Sequence, residues 1–171
     1  MGHSKGHTGS GHQSHGSSSR GSSSSQHLYS NYRVRINRDD SVSIILPGGQ
    51  RMHTQSVTAD GSCYFRSILA IMGSRIAQRS VQELRELLFN SGPYTDDDET
   101  RIMNPDNYAS PTQIQLLAQQ LDVTVVMLQM NYGIERIVSC QEYNPGHRRI
   151  YMLYRTPLGS TTFQGHIDPL L

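Results

Sequence analysis

The sequence Asp60-Gly61-Ser62-Cys63-Tyr64-Phe65-Arg66-Ser67 places a cysteine between a turn signal and the start of an apolar-periodic segment. Asp and Gly favour a tight turn, and residues 63–72 have helical periodicity, so we predict that Cys63 begins a helix. The free N–H groups and the dipole of a helix N-terminus favour a thiolate and would stabilise an oxyanion beside it. We therefore predict that Cys63 is a nucleophile within an oxyanion loop formed by Asp60, Gly61, Ser62 and Cys63. The alternative is a core cysteine, because free cysteine is commonly buried.

This motif resembles the Asp-Gly-Asn/Ser-Cys-Leu/Tyr-Phe-Arg-Ser motif of the ovarian-tumour (OTU) family of cysteine deubiquitinases. Residues 150–154, followed by Gly165-His166-Ile167-Asp168, are similar to a late strand of that family and its His-x-Asp/Asn loop. Residues 108–128 resemble, more weakly, its middle helix and the strand that follows. The chain departs from the family at Ile167, where an aromatic residue is common, and at Tyr108, where tryptophan is common. The resemblance covers roughly residues 32–168.

The candidate general base is His166. It has an acidic residue two positions later, Asp168, and alternate residues of an extended segment point to the same side. Such a pair alone is weak evidence, but the resemblance implies that His166 is the base and that Asp168 orients it. It also implies that Asp60 shapes the oxyanion loop. Because Pro169 follows directly, any strand that carries the histidine should be short or interrupted.

The resemblance further implies hydrolysis of isopeptide bonds at the C-terminal glycine of ubiquitin, with no metal or organic cofactor. The expected partner is ubiquitin or polyubiquitin, bound by a monomer. The substrate-binding arm would span about residues 78–106, where we predict an exposed acidic loop of Asp96, Asp97, Asp98 and Glu99. That loop would meet a basic face of ubiquitin or would simply be solvated. Alternative functions are another papain-like cysteine peptidase, an acyl-transfer enzyme, or a catalytically inactive ubiquitin-binding module.

Composition divides the 171-residue chain into two parts. Residues 2–26 contain no aliphatic residue and no Phe, Tyr or Trp, so we predict that residues 1–27 are a disordered leader or tag. The histidines of this segment could form a metal-binding tract, but their irregular spacing favours a tag or linker: His3, His7, His12 and His15. We predict one catalytic domain over residues 28–171.

The remaining composition bears on partners and location. The net charge of +1 and the scattered arginines give no electrostatic case for nucleic acid. No apolar run approaches the roughly 18 residues of a membrane span, so no membrane partner is expected. Two cysteines, Cys63 and Cys140, do not indicate a disulfide framework. We expect a cytosolic protein, in the host cytosol if the chain is a pathogen effector.

Periodicity predicts helices in the first half of the domain and strands in the second. The predicted helices are residues 63–72, a helix capped by Ser80 that ends near residues 90–92, and one that starts at Ser110-Pro111. Extended segments are predicted at 32–37, 42–46, 52–57 and 123–128, with 133–139 and 149–155 as antiparallel partners of the last. This order predicts an α+β, papain-like fold with a small, mostly antiparallel sheet flanked by helices.

Overall fold

The computed structural model describes residues 28–160 and 165–171, so the predicted leader lies outside the described residues. The described residues form seven strands and four helices: β1 (Arg33–Ile36), β2 (Val42–Ile45), β3 (Arg51–His53), α1 (Cys63–Met72), α2 (Val81–Ser91), α3 (Asp96–Met103), α4 (Pro111–Gln120), β4 (Val123–Asn131), β5 (Ser139–Tyr143), β6 (Arg148–Thr156) and β7 (His166–Leu170). A short 3₁₀ helix, Gly73–Arg75, follows α1. None of the helices in the described ranges is long and apolar enough to cross a membrane.

The architecture has three layers. A four-stranded sheet, in the order β5-β4-β6-β7, forms the central layer, and β1-β2-β3 form a second sheet. The helices pack on one face of the central sheet, and the three-stranded sheet packs on the other. All neighbouring strands are antiparallel except β4 and β6, which are parallel. The predicted α+β class with a mostly antiparallel sheet flanked by helices is confirmed.

The centre of strand β4, from Val125 to Leu128, is continuously apolar because both faces of the strand are covered. Val125 and Met127 pack in the core beneath the helices, whereas Val126 and Leu128 pack against the three-stranded sheet. A strand segment buried on both sides carries apolar residues at successive positions and loses the usual alternation. The sequence prediction of a buried strand from residue 123 is confirmed.

The predicted partners of β4 are wrong in part. Residues 133–138 precede strand β5, which begins only at Ser139, and β6 lies parallel to β4, not antiparallel. The cause is the turn between β5 and β6, which crosses the start of β4. Thr124 donates a hydrogen bond to the Asn144 carbonyl (2.7 Å) and accepts one from the His147 N–H (2.9 Å). Strand β5 is antiparallel to β4, and the turn after β5 reverses the chain direction again. Strand β6 therefore runs parallel to β4.

Helix boundaries follow local capping signals. Helix α1 covers Cys63–Met72 as predicted. Ser80 caps α2 by accepting the Glu83 N–H at 3.1 Å, and Ser110 caps α4 with Pro111 in the first turn. These predicted helices are confirmed.

The predicted acidic loop is instead the first turn of α3. Asp96, Asp97, Asp98 and Glu99 are helical, and Asp98 accepts hydrogen bonds from the N–H (2.9 Å) and hydroxyl (3.0 Å) of Thr95. Carboxylates at this position interact favourably with the positive end of the helix dipole. The acidic run that indicated a loop therefore initiates a helix, although all but Asp98 remain exposed.

Candidate active site

Cys63 is the first residue of α1, and its side chain is 1% exposed. Burial by itself fits a core cysteine as well as a nucleophile. Its neighbours distinguish the two, because α1 packs against the strand that carries His166. The Ser67 hydroxyl bonds to the Cys63 carbonyl (2.8 Å) and lies 3.5 Å from the Ile167 carbonyl, so one turn of the helix is tied to β7. This contact places the cysteine beside the histidine.

His166 has different partners at its two ring nitrogens. Nε2 lies 2.7 Å from Asp168 Oδ1, and Nδ1 is buried with no hydrogen-bond partner among the described residues. Nδ1 is therefore the nitrogen left to face the sulfur of Cys63. The hydrogen bond with Asp168, followed by the neighbouring Cys63, raises the pKa of His166 from 6.5 to about 9 against the opposing effect of burial. The site therefore favours an imidazolium beside the cysteine.

Asp168 is held on both carboxylate oxygens. Oδ1 accepts the Val57 N–H at 3.1 Å in addition to the His166 bond, and Oδ2 accepts an Arg155 N–H at 2.7 Å. Burial acts to raise the pKa of Asp168, but hydrogen bonds from His166, Val57 and Arg155 hold it below its usual range. The carboxylate is thus ionised and fixed in position, which is what orienting an imidazole requires.

The predicted oxyanion loop is a compact turn organised by Asp60. The Asp60 carboxylate accepts the Ser62 N–H at 3.0 Å and forms an ion pair with Arg66 at 2.9 Å. The hydrogen bond from Arg66 is the main reason why the pKa of Asp60 is lowered. The Cys63 N–H donates to the Asp60 carbonyl across 3.3 Å, a long and weak bond.

The N–H groups of the turn differ in their availability to a substrate. The Ser62 N–H is occupied by the Asp60 carboxylate, so it does not serve as an oxyanion donor in this structure. The Cys63 N–H is only weakly held, and the Gly61 N–H has no hydrogen-bond partner within the described ranges. Donors for an oxyanion are therefore Cys63 and Gly61, a narrower set than the whole turn predicted from the sequence.

The structure brings together Cys63, His166, Asp168 and the Asp60 turn, but it does not bring the acidic residues 96–99 to them. The C-terminal end of α3 leads into the 104–107 loop, which contacts the Asp60 turn. The acidic residues lie at the other end of this eight-residue helix, about 12 Å away along its axis. Any role for them is therefore in binding at a distance from the reacting atoms.

Sequence reasoning missed Arg155 and Arg85. Arg155, the cross-strand partner of His166, forms an ion pair with the Asp168 carboxylate. Arg85 on α2 bonds to the Gly61 carbonyl and the Ser62 hydroxyl. Each arginine interrupts an apolar pattern, in β6 and on the buried face of α2 respectively. That interruption was the only local signal, and it carries no information about which distant loop the side chain reaches.

Comparison with solved structures shows the fold. The structure matches the viral OTU domain protease from Dera Ghazi Khan virus with a TM-score of 0.54 and 16% identity, over 81% of this chain and 94% of that one. It matches the Hazara virus OTU bound to ubiquitin with a TM-score of 0.52 and 19% identity, over 70% and 80% of the two chains.

The OTU domain of OTUD1 gives a TM-score of 0.52 at 16% identity, over 70% of this chain and 85% of that one. No family model matches the chain, and no curated protein matches it in sequence. The similarity is therefore one of structure, and it shows that this chain has the OTU fold.

Proposed function

We propose that this protein is a cysteine deubiquitinase that hydrolyses the isopeptide bond between the C-terminal glycine of ubiquitin and a lysine amine. The observation that carries the proposal is the Cys63, His166 and Asp168 constellation at a helix N-terminus within an OTU fold. One solved structure with this fold is an OTU domain bound to ubiquitin, which supports ubiquitin as the partner.

The first half of the reaction forms a thioester. The Cys63 thiolate attacks the glycine carbonyl carbon, a C–S bond forms, and the carbonyl π electrons move to oxygen. The Cys63 and Gly61 N–H groups stabilise this oxyanion. When the oxyanion collapses, the C–N bond breaks and the His166 imidazolium gives its Nδ1 proton to the leaving lysine nitrogen.

The second half releases ubiquitin. Neutral His166 takes a proton from water as the water oxygen attacks the thioester carbonyl, and collapse of the new oxyanion breaks the C–S bond. The products are the ubiquitin carboxyl group, the Cys63 thiolate and the His166 imidazolium, so the enzyme returns to its starting state. Asp168 accepts the Nε2–H throughout, which keeps Nδ1 directed at the sulfur and stabilises the imidazolium.

The acidic first turn of α3 is the proposed substrate contact outside the reacting centre. Asp96, Asp97 and Glu99 are exposed and project from the arm formed by residues 78–106. Their charge complements a basic protein face, which would favour association more than it changes chemistry. Neutralising these three residues together should raise KM and leave kcat within about twofold.

The proposal is tested with a ubiquitin C-terminal electrophile and a panel of di-ubiquitins. Wild type and Cys140→Ala, the matched control at the other cysteine, should form a covalent adduct and cleave at least one linkage. Cys63→Ala and His166→Ala should cleave none. If folded wild type forms no adduct at Cys63, the enzyme proposal is refuted and a catalytically inactive ubiquitin-binding module remains as the function. Adduct formation without cleavage of any di-ubiquitin would point to another acyl-transfer substrate.

A further inference from the structure

Arg85 is buried at 2% exposure, although arginine is rarely buried without an acidic partner. It lies on α2, and its guanidinium stacks 4.3 Å above the ring of Phe65, two residues after the nucleophile. No carboxylate lies within ion-pair distance of it among the described residues. Its hydrogen-bond partners are mainly backbone carbonyls, so it connects segments of main chain.

From α2, the guanidinium joins two segments that are distant in sequence, residues 61–62 and residues 102–107. One terminal nitrogen donates to the Ile102 carbonyl at the end of α3 (2.8 Å). The other lies within hydrogen-bond distance of four acceptors: the Gly61 carbonyl (3.3 Å), the Ser62 hydroxyl (2.9 Å), the Pro105 carbonyl (3.2 Å) and the Asn107 carbonyl (3.0 Å). Only a forked, multiply donating group can reach this set.

The two loops joined by Arg85 are in direct contact. The Ser62 hydroxyl donates to the Pro105 carbonyl at 2.7 Å. A Cβ added to Gly61 would lie 2.1 Å from the carbonyl carbon and oxygen of Asp106. The 104–107 loop therefore forms a wall against which the oxyanion loop packs without spare room.

The peptide between Gly61 and Ser62 is bound at both of its edges. Its carbonyl accepts from Arg85, and its N–H donates to the Asp60 carboxylate. Rotation of this peptide would break both bonds. Its orientation also sets the direction of the Gly61 and Cys63 N–H groups on either side, which are the proposed oxyanion donors.

Stability alone does not account for this arginine. A buried charge without an ion-pair partner costs several kcal/mol, and an apolar side chain on the buried face of α2 would avoid that cost. Burial lowers the pKa of Arg85, in agreement with an unfavourable setting for the charge. The hydrogen bonds of Arg85 fix the arrangement of the main chain around the Asp60–Cys63 turn.

We propose that Arg85 is a positioning residue that holds the oxyanion loop against the 104–107 loop in the geometry needed for acyl transfer. This inference rests on the proposed function for the identity of the substrate, but it applies to any acyl transfer to Cys63. The site then has two properties that can be measured separately. The nucleophilicity of Cys63 depends on the His166–Asp168 pair, whereas oxyanion stabilisation depends on the loop that Arg85 holds.

Two reagents measure these properties separately. Iodoacetamide alkylates a thiolate by displacement and forms no oxyanion. p-Nitrophenyl acetate acylates the same sulfur through a tetrahedral oxyanion, and release of p-nitrophenolate reports the rate. Both rates are measured at Cys63 in a Cys140→Ser background, so that only one thiol reacts. Neither reagent requires ubiquitin.

Arg85→Met should lower the acylation rate by about 30-fold or more, approaching the roughly 100- to 1,000-fold cost of losing one oxyanion donor, and leave the alkylation rate within about threefold. The acylation rate of Arg85→Lys should fall similarly, because a single ammonium cannot reproduce the forked set of bonds to both segments. Arg33→Met, at an exposed site on β1, is the matched control and should change neither rate. Ser62→Ala removes the bond to Pro105 and should lower acylation by about fivefold, which tests the loop contact if Arg85→Met does not fold.

A parallel fall in both rates, or acylation unchanged in Arg85→Lys and Ser62→Ala, would overturn the positioning role. Failure of the proposed function has a different signature. In that case the wild type reacts with the ester and with iodoacetamide but cleaves no ubiquitin substrate, and the Arg85 effect on acylation persists.

Discussion

The ionisation of His166 should set the alkaline limit of activity, and replacing Asp168 by Asn should move that limit to lower pH. In the proposed mechanism a Cys63 thiolate is paired with an imidazolium, so kcat/KM should fall as His166 loses its proton. The pKa of His166 is raised from 6.5 to about 9, first of all by its hydrogen bond to Asp168. At about 1.36 kcal/mol per pKa unit, this shift corresponds to about 3 kcal/mol in favour of the imidazolium.

Asp168→Asn keeps the shape of the carboxylate side chain but removes its charge. The substitution also leaves the Arg155 guanidinium, formerly bonded to Asp168, as an uncompensated positive charge near the imidazole. Both changes lower the pKa of His166. We expect the alkaline limb of kcat/KM to move down by about one to two pH units, a range typical of losing one adjacent opposite charge.

The measurement is a pH profile from about pH 5 to pH 10.5 with a fluorogenic ubiquitin C-terminal amide, repeated as iodoacetamide alkylation of Cys63. The alkylation profile reports the ion pair without the later chemical steps. Asp122→Asn, at an exposed position, is the matched control and should not move either profile. An alkaline limb that stays within about 0.3 units, or moves upward, would show that Asp168 is not the source of the raised pKa.

Three further perturbations test neighbouring parts of the structure. Folding raises the pKa of His166 from 6.5 to about 9, so the protonated imidazole should contribute about 3 kcal/mol to the free energy of unfolding below pH 6.5. This contribution is lost as the pH rises through 9. In urea titrations, the free energies of unfolding of wild type and His166→Gln should therefore become equal by pH 10. Arg155→Met removes a cation beside the imidazole, so the alkaline limb of kcat/KM should move up, opposite in sign to Asp168→Asn. Gly61→Ala should lower the free energy of unfolding by about 2–3 kcal/mol in denaturant titrations, whereas Gly48→Ala, with open space around it, should change it little; equal effects would contradict the close packing.

The elements that sequence reasoning predicted correctly are those specified by neighbouring residues. The N-terminus of α1 at Cys63 follows from the Asp-Gly turn and the apolar period after it. Serine caps and an N1 proline located α2 and α4, because capping is a contact over three residues. His166 and Asp168 share one side of β7 because strand alternation is a local property.

One prediction that rested on neighbouring residues failed: residues 96–99 were predicted to form an acidic loop, but they begin helix α3. Adjacent carboxylates are compatible with a solvated loop or with the first turn of a helix, and Thr95 at the N-cap decides in favour of the helix.

Strand pairing and the arginines around the site required the tertiary structure. The parallel pairing of β4 and β6 depends on a turn that crosses β4, which involves contacts between residues about 20 positions apart. Arg155 and Arg85 look alike in sequence, as single charges in apolar surroundings, yet one binds the Asp168 carboxylate and the other the Gly61 carbonyl. Local pattern thus determined which residues are the candidates for the chemistry. Long-range packing decided which groups hold them in place, because the partners of a long, flexible side chain are set by the segments that folding brings within its reach.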